Sequence, residues 1–403
     1  MNKLEIYLVG GAIRDKLLGL IVKEYDWVVI GSTTNIMLDL KFKQVGKGFP
    51  VFLHPYTNEE YALARKDYKI GSGYYGFECN TSKSIKLSED LLRRDFTINS
   101  IALDKKGHLI DPYNGIIDLN KRKLKHVSKA FIEDPIRIFR LARFMSKLYK
   151  FKFFISNDTE TLIINMILNG ELLNLVPERI LKEILYVFNT DFPYIFFKIL
   201  SRYNALFFVY KIINRDLNFK KINIKIFNIL NIYLFFISKY AKESDITFSI
   251  FFYYFYHIII GKRTLGNYKK MYIKFIIDFC IFYRVSNSYR KFSISSGIFI
   301  PFYYRIFKLN NSYILFILTR INACRDKLKF IKLLFIAGFG IKYNLIKNNN
   351  IYNYFLLDIV TAINNINMVS LTKEKIKKNI HIEVIKKKIS IINIIKLKYY
   401  NYL

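Results

Sequence analysis

Short apolar runs near the start of the chain predict β-strands. Glu5–Val9 and Trp27–Ile30 are rich in β-branched or aromatic residues, and Val51–His54 and Tyr61–Ala64 are weaker candidates. Between the first two runs, Ala12–Leu18 follows two glycines and predicts a short helix. The beginning of the chain is therefore predicted to be a mixed α/β domain.

The apolar pattern changes to helical spacing further along the chain. Pro135 suits the first turn of a helix, and the apolar positions that then share one face are Ile138, Leu141, Ala142 and Leu148. Pro177 opens a second helix, with a predicted buried stripe of Ile180, Leu181, Ile184, Leu185 and Phe188. Between the strands and these helices, Lys66–Ser88 is polar and lacks periodicity, which predicts a long loop.

These patterns predict an α+β fold, in which a mixed-sheet domain is followed by an all-α region. We expect a head in residues 1–125, a helical neck in residues 126–190, and a helical body and tail in residues 191–403. Charge is distributed unevenly as well. Residues 1–150 carry 26 basic and 17 acidic residues, whereas residues 151–403 carry 38 and 14.

The net charge of +33 leaves two main classes of partner, nucleic acid and an anionic membrane surface. The longest uncharged stretch, Ile246–Gly261, is shorter than the ~20 residues that a membrane-spanning helix needs. The three cysteines, Cys79, Cys280 and Cys324, lack the spacing of a disulfide scaffold or a zinc ribbon and fit a reducing compartment. We therefore expect a cytoplasmic protein with no membrane partner.

Two glycines followed by two carboxylates form the first candidate site. A strand that ends in Gly10-Gly11 lets backbone N–H groups approach a phosphate, and Arg14 can add a charge-assisted contact. If Glu24 and Asp26 both lie on a strand, they share one face, where two carboxylates can hold a pair of Mg²⁺ ions ~4 Å apart. The alternative is a tight turn followed by a solvated acidic pair, but the combination favours nucleotide chemistry.

Adjacent arginines form the second candidate site, in the sequence Arg93-Arg94-Asp95-Phe96-Thr97-Ile98-Asn99. One arginine can face a triphosphate while Asp95 and Asn99 fix its geometry. Taken alone, this stretch is better interpreted as a surface basic pair in which Asp95 caps a helix.

Charged residues at a spacing of three form the third candidate site, Glu133-Asp134-x-x-Arg137-x-x-Arg140-x-x-Arg143. This spacing brings successive members close together on a helix surface. Asp134 can accept from, and Arg137 can donate to, the polar edge of a base, and the two later arginines can hold phosphates. In the structural alternative, Asp134 caps the helix, with Pro135 at its first position, and pairs with Arg137.

Two other features favour structural roles. Glu59 and Glu60 could supply a further carboxylate, but a solvated strand edge is the preferred interpretation. The aromatic run Phe251–Tyr256 could stack RNA bases, but it is more typical of a buried helix face.

Taken in this order, the three sites resemble the bacterial, class II CCA-adding tRNA nucleotidyltransferases, in the superfamily that also contains bacterial poly(A) polymerase. The resemblance extends over roughly residues 4–190 and implies a polymerase-β-like nucleotidyltransferase head. The matching stretches are Ile6–Asp15, Tyr25–Val29, Glu59–Arg65, Arg93–Asn99, Ile110–Gly115, Glu133–Arg137 and Val176–Ile180.

The resemblance implies template-independent addition of CCA to tRNA 3′ ends from CTP and ATP, with release of pyrophosphate. It makes Glu24 and Asp26 the catalytic carboxylates and the ligands of Mg²⁺. The residues that it assigns to nucleotide binding are Gly10, Gly11, Arg14, Arg94, Asp134, Arg137, Arg140 and Arg143. Among these, Asp134 and Arg137 would pair with the incoming base in place of a nucleic-acid template. The basic helical half would bind the acceptor arm of tRNA, and Lys66–Ser88 matches the family's flexible loop.

Two features depart from the family pattern. Glu24 stands where relatives usually have Asp, and its extra methylene requires the metal or the backbone to adjust. The chain has no His-Asp dipeptide, so the metal phosphohydrolase activity of some relatives is predicted to be absent. The alternatives to CCA addition are a poly(A) polymerase on the same scaffold and a decayed, non-catalytic RNA-binding protein, which Glu24 supports.

Overall fold

The protein forms two compact units, Met1–Lys211 and Ile212–Leu403. The computed structural model describes residues 4–45, 51–69, 77–209, 234, 243–260, 265–303, 305–338, 349–366 and 377–400. The first unit joins strands and helices, and the described part of the second is helical. The predicted α+β fold is confirmed, whereas the domain boundaries near residues 125 and 190 stay predictions.

The first unit is built from short elements in mixed order. Its strands are β1 (Glu5–Val9), β2 (Asp26–Ile30), β3 (Lys43–Val45), β4 (Val51–Leu53), β5 (Glu60–Leu63), β6 (Lys66–Lys69), β7 (Phe77–Asn80), β8 (Ala102–Leu103), β9 (Leu109–Ile110), β10 (Lys123–Leu124) and β11 (Phe154–Ile155). Its helices are α1 (Gly11–Leu17), α2 (Thr34–Asp39), α3 (Leu87–Leu92), α4 (Gly115–Asn120), α5 (Ile136–Lys147), α6 (Asn157–Leu168), α7 (Pro177–Phe188), α8 (Pro193–Arg202) and α9 (Leu206–Val209).

A seven-stranded sheet organises this unit, in the order β3-β4-β5-β2-β1-β8-β9. Strand β2 runs antiparallel to β1 and parallel to β5, so it lies between two strands that belong to different parts of the sequence. The predictions of strands at Glu5–Val9 and Trp27–Ile30, and of the two weaker candidates, are confirmed to within one residue at each end.

Helices cover both faces of the sheet. On one face, Leu91 of α3 packs with Val9 and Val28, whereas on the other Met37 of α2 packs with Val29. Because side chains alternate along a strand, Asp26 lies on the same face as Val28, beneath α3. The start of β2 therefore presents a carboxylate to the segment that follows α3.

The prediction of a loop over Lys66–Ser88 was wrong at both of its ends. Strands β6 and β7 pair antiparallel there, and α3 begins at Leu87. These strands carry no alternating apolar pattern that would indicate them in the sequence. Backbone pairing and ion pairs from Asp67 to Arg65 and Arg93 stabilise the hairpin. Residues 70–76 lie outside the described part of the chain.

A tight turn at Asp111–Gly115 starts α4 and brings it against the 3₁₀ segment Thr97–Asn99. The Asp111 carboxylate accepts hydrogen bonds from the backbone N–H groups of Gly115 and Ile116, at 2.7 and 2.8 Å. A Cβ atom at Gly115 would lie 2.2 Å from the carbonyl oxygen of Thr97. Glycine is required here because two backbones meet.

Replacing Gly115 by alanine is expected to destabilise the protein by about 3 kcal/mol, since the added methyl group would collide with backbone that cannot rotate away. Thermal unfolding followed by circular dichroism measures the loss. Gly107→Ala is the control for backbone strain without a collision: Gly107 has φ 88°, but a Cβ atom there meets nothing within 4 Å, so the loss should be only about 1 kcal/mol. Equal melting temperatures for the two variants would contradict this account of Gly115.

Helices α5 and α7 confirm the predicted apolar stripes almost completely. Every predicted core position of α5 is buried, and in α7 only Leu185 is partly exposed while Val187 is buried in addition. Helix α5 begins at Ile136, so Pro135 immediately precedes it rather than lying in its first turn. The two helices pack against each other, which fixes the residues at their N-terminal ends.

The second unit is helical wherever it is described, as predicted. Its helices are α10 (Ser244–Ile260), α11 (Leu265–Phe282), α12 (Asn287–Tyr303), α13 (Asn311–Arg320), α14 (Lys327–Gly338), α15 (Asn349–Asn364) and α16 (Lys377–Tyr400). All six side chains of Phe251–Tyr256 are buried, which confirms the prediction of a buried helix face. Among the helices of the described residues, none has the length and apolar content to cross a membrane.

Candidate nucleotidyl-transfer site

The turn after β1 has a backbone conformation that requires glycine. Gly10 has φ 77° and ψ −132°, and its N–H donates to the carbonyl oxygen of Ile101 at 3.2 Å. A Cβ atom on Gly10 would lie 3.0 Å from Nη1 of Arg94. The turn and the second arginine of the Arg93-Arg94 pair are therefore in direct contact, although they are far apart in sequence.

Gly10→Ala is expected to impair both stability and nucleotide incorporation. Backbone strain at this φ and ψ costs about 1–3 kcal/mol, and the methyl group would also displace the Arg94 guanidinium. Gly19→Ala is a matched control, because Gly19 has φ 67° and a Cβ atom there meets nothing within 4 Å. We expect both variants to lose stability in thermal unfolding, but only Gly10→Ala to lose incorporation. Full incorporation by Gly10→Ala would contradict this role of the turn.

Asp90 in α3, which sequence analysis did not identify, holds both arginines of the pair. Its carboxylate is fully buried and accepts from Nη2 of Arg93 at 2.6 Å and from Nη2 of Arg94 at 3.0 Å. Burial opposes ionisation, but the two guanidinium groups lower the pKa of Asp90 overall. An acidic residue one helical turn before a pair of arginines was the available sequence signal.

The two predicted carboxylates lie beside this arginine pair. Asp26 begins β2 and pairs in register with Val9, the residue before Gly10, whereas Glu24 precedes the strand. Both side chains are exposed. The pKa of the Asp26 carboxyl is raised overall. Partial desolvation by the surrounding protein raises it most, Arg94 lowers it, and the negative charge of Glu24 raises it further. The structure thus brings Gly10, Arg94, Asp26 and Glu24 together.

A third carboxylate neighbours Asp26 in the sheet. Glu60 on β5 pairs in register with Asp26, so both side chains lie on the same face. Among the described residues, however, no group of three or more His, Cys, Asp or Glu side chains is arranged to bind a metal. The acidic centre is thus a pair, with Glu60 on the adjacent strand.

Arg14 lies beneath the diglycine turn rather than on its open side. It is 2% exposed, donates from Nε and Nη2 to Asp15 at 2.9 and 2.7 Å, and from Nη1 to Asn99 at 2.6 Å. Burial lowers the pKa of Arg14, and the adjacent Asp15 carboxylate opposes this shift. A triphosphate contact by Arg14 stays a prediction, and its observed contacts support the turn from below.

Asp95, expected either to cap a helix or to fix an arginine, pairs with a more distant one. Its buried carboxylate accepts from Nε of Arg140 at 2.7 Å and from the Asn99 amide at 2.9 Å. Burial alone would raise the pKa of Asp95, but Arg140 and Asn99 lower it to about 2. This pair ties α5 to the segment that contains Arg94.

The predicted base-reading residues, Asp134 and Arg137, form hydrogen bonds with different parts of the protein. Both oxygens of Asp134 accept from Arg179 on α7, at 2.9 and 2.7 Å, so the alternative in which its side chain pairs with Arg137 was wrong. Arg137 instead donates to the carbonyl oxygens of Ala130 and Arg93, at 2.8 and 2.5 Å. Arg137 still lies near the Arg93-Arg94 segment through that second bond. Base reading by Asp134 and Arg137 stays a prediction.

Arg143, the last member of the predicted series, contacts α7 as well. Its Nε donates to the carboxylate of Glu183, and its guanidinium lies 4.3 Å from the centre of the Phe144 ring. Phosphate binding by Arg140 and Arg143 stays a prediction. In the observed arrangement, both arginines link α5 to buried carboxylates.

Similarity to known proteins extends over nearly the whole chain. Residues 6–125 match the family described as the poly A polymerase head domain. The CCA-adding enzyme of Buchnera aphidicola subsp. Schizaphis graminum is 38% identical over 382 residues, which cover 93% of both chains. That of Buchnera aphidicola subsp. Baizongia pistaciae is 52% identical over 211 residues, which cover 52% of this chain and 50% of the relative.

A multifunctional CCA protein of Legionella pneumophila is 54% identical over 180 residues, which cover 45% of this chain and 44% of the relative. The chain thus matches about half the length of two of these relatives and nearly all of the third.

Solved structures share the fold at low sequence identity. The CCA-adding enzyme of Thermotoga maritima, in complex with tRNA, has a TM-score of 0.61 at 18% identity, over 99% of this chain and 91% of that one. A CCA-adding enzyme with CTP has a TM-score of 0.60 at 19% identity, over 96% and 87%. Because the similarity to the Schizaphis relative extends over nearly the full length of both sequences, the protein belongs to the family of bacterial CCA-adding enzymes.

Proposed function

We propose that this protein adds CCA to the 3′ ends of tRNA, using CTP and ATP and releasing pyrophosphate. Family membership supports the reaction, and the structures of relatives with CTP and with tRNA support these partners. The observation that carries the proposal is the pairing of Val9 with Asp26, because it brings the Gly10 turn, Arg94 and the acidic pair together.

The acidic pair fits a magnesium ion. Mg²⁺ prefers oxygen ligands and commonly binds through one or two carboxylates together with substrate phosphates and water. Glu24 and Asp26 are exposed, and Glu24 raises the pKa of the Asp26 carboxyl, so a bound cation would offset their repulsion. We propose that these two residues hold Mg²⁺, which would activate the attacking hydroxyl and stabilise charge on the phosphates.

The other site residues position the nucleotide for in-line attack. The tRNA 3′-hydroxyl oxygen forms a bond to the α-phosphate of CTP or ATP, and the bond from that phosphate to pyrophosphate breaks. Arg94, held by Asp90 and in contact with the Gly10 turn, would neutralise negative charge on the phosphates. Asp134 would accept a hydrogen bond from the amino group that cytosine and adenine share, and Arg137 would donate to a ring acceptor.

The basic second half supplies the proposed contact with tRNA. Residues 151–403 carry 38 basic and 14 acidic residues, an excess that suits a polyanionic partner. Contacts to phosphates of the acceptor arm would depend on shape and salt rather than on sequence. A cytoplasmic location belongs to the same proposal, since all three cysteines are free thiols, as expected in a reducing compartment.

Incubation of the purified protein with a tRNA transcript that lacks its 3′ CCA, together with CTP, ATP and Mg²⁺, tests the proposal. We expect the transcript to grow by three nucleotides and then stop. A long A tail formed from ATP alone would instead identify a poly(A) polymerase. This is the second candidate, because the head of this chain matches the poly A polymerase head-domain family. Absence of turnover in both the protein and its Glu24→Asp variant would support a non-catalytic RNA-binding protein.

A further inference from the structure

The Asp134 carboxylate is held by an arginine from another helix. Nη1 and Nη2 of Arg179 each donate to a different oxygen of Asp134, at 2.9 and 2.7 Å, so the guanidinium and carboxylate planes match as two forks. The side chains of Arg179 and Asp134 are 32% and 27% exposed, so a ligand can still reach the pair. This contact is absent from the sequence pattern, because 45 residues separate its members.

The arginine approaches from a rigid support. Arg179 lies in the first turn of α7, which begins at Pro177 and packs against α5 through its buried face. Asp134 immediately precedes Pro135 and α5, and its Oδ1 also accepts from the backbone N–H of Ile136 at 3.4 Å. Both ends of the ion pair are therefore fixed by helices, which restricts the Asp134 carboxylate to one orientation.

An ionised carboxylate has about four positions at which it can accept hydrogen bonds, and the two bonds from Arg179 and the one from Ile136 leave about one for a ligand. A fixed orientation aims that position in one direction. Donors placed there are bound, whereas a carbonyl oxygen placed there would be repelled. Loss of Arg179 would let the carboxylate rotate, so that a base could be bound with or without a donor at that point.

From these contacts we infer that Arg179 is a positioning residue for nucleotide selection: it orients Asp134 so that incoming bases with an exocyclic amino group are favoured. The inference rests on the proposed function, in which Asp134 accepts from cytosine and adenine. Arg179 acts through Asp134 and need not touch the nucleotide.

Addition of the final nucleotide isolates this effect. The substrate is a tRNA transcript that ends in CC, and kcat and KM are measured with ATP and with purine riboside triphosphate, which lacks the amino group. For the unmodified protein we expect kcat/KM to be about 10- to 100-fold higher with ATP, the range of one good hydrogen-bonded base contact. In Arg179→Gln this ratio should fall to about threefold or less, mainly through a higher KM for ATP.

Two further variants and a control keep the result interpretable. Arg179→Lys retains the charge but can reach only one oxygen well, so its ratio should be intermediate; it also serves if Arg179→Gln does not fold. Arg202→Gln is the matched control. Arg202 also pairs with a carboxylate of the same unit, that of Glu160, but its own side chain is 61% exposed and it does not contact Asp134. Its ratio should equal that of the unmodified protein. Equal losses with both nucleotides in Arg179→Gln would indicate a purely structural role and overturn the inference.

Asp134→Ala, which removes both acceptor oxygens, separates failure of the inference from failure of the proposed function. If this variant loses the preference for ATP while Arg179→Gln keeps it, Asp134 reads the base and the inference about Arg179 is wrong. If Asp134→Ala keeps the full preference, both base reading by Asp134 and the inference are wrong. Loss of the preference in Asp134→Ala and Arg179→Gln, but not in Arg202→Gln, supports both.

Discussion

Asp26→Asn is expected to reduce nucleotide incorporation by about a thousandfold, the order of effect seen when a group that stabilises developing charge is removed. The substitution preserves the size of the side chain but removes the charge that would bind Mg²⁺. Single-turnover addition of one nucleotide to a tRNA transcript measures the loss without interference from product release.

The same substitution should leave the fold intact. Surrounding protein and Glu24 disfavour the charge on Asp26 more than Arg94 and Arg140 favour it, and its side chain is exposed, so a neutral amide costs little stability. We expect the free energy of unfolding of Asp26→Asn to lie within about 0.5 kcal/mol of that of the unmodified protein. Asp39→Asn, at an exposed position at the end of α2, is the control and should change neither quantity. Unchanged incorporation by Asp26→Asn would place the catalytic carboxylate elsewhere.

Asp95→Asn is expected to have the largest effect on stability, a loss of about 3–5 kcal/mol, because it leaves the partly buried Arg140 without its carboxylate. The new amide has only one acceptor oxygen, so its nitrogen would face a donor, either the Arg140 guanidinium or the Asn99 amide. Urea denaturation at neutral pH measures the difference from the unmodified protein.

The pH dependence of this loss is a second signature. Although burial opposes ionisation, in the folded protein Arg140 and Asn99 lower the pKa of Asp95 from its ordinary value of 3.8 to about 2. The ionised form therefore stabilises the protein above about pH 4, and this contribution is lost as the pH falls towards 2. The gap in unfolding free energy between the unmodified protein and Asp95→Asn should therefore narrow by about 2 kcal/mol between pH 5 and pH 2.5. A gap that stays constant over this range would show that the pair contributes through packing alone.

A double substitution provides the control. In the Asp95→Asn background, Arg140→Gln should cost little further stability, because the unpaired charge is removed at the same time. In the unmodified background, Arg140→Gln should be clearly destabilising. Additive losses would mean that the two side chains stabilise the fold independently.

Sequence patterns predicted the fold of the first unit well where burial alone determines structure. The runs of β1 and β2 became adjacent strands, and the apolar stripes of α5 and α7 became the surfaces through which these helices pack. Helices α5 and α7 each have one apolar face, whereas β1 and β2 bury apolar residues on both faces of the sheet. In both cases the observed packing removes these apolar residues from water.

The polar contacts were predicted less well, because they depend on residues far apart in sequence. Local spacing suggested that Asp134 pairs with Arg137, but Arg179 binds the carboxylate from another helix. The role of Asp90 was not predicted for a related reason: its spacing to Arg93 and Arg94 is common on exposed helix surfaces, and only its burial shows that it holds both arginines. The hairpin of β6 and β7 was predicted as loop because charge pairs rather than apolar alternation hold it.

The pairing of β1 with β2 also constrains which insertions and deletions the gene can tolerate. Removal of one residue inside β2 would shift its pairing by one position and turn Asp26 towards the helix on the opposite face of the sheet, and removal of one inside β1 would turn part of that strand in the same way. The irregular segment between α1 and β2 sets no register, so changes of its length should be accepted far more readily. Among natural variants, length polymorphism is therefore expected in residues 18–23 and not within the two strands.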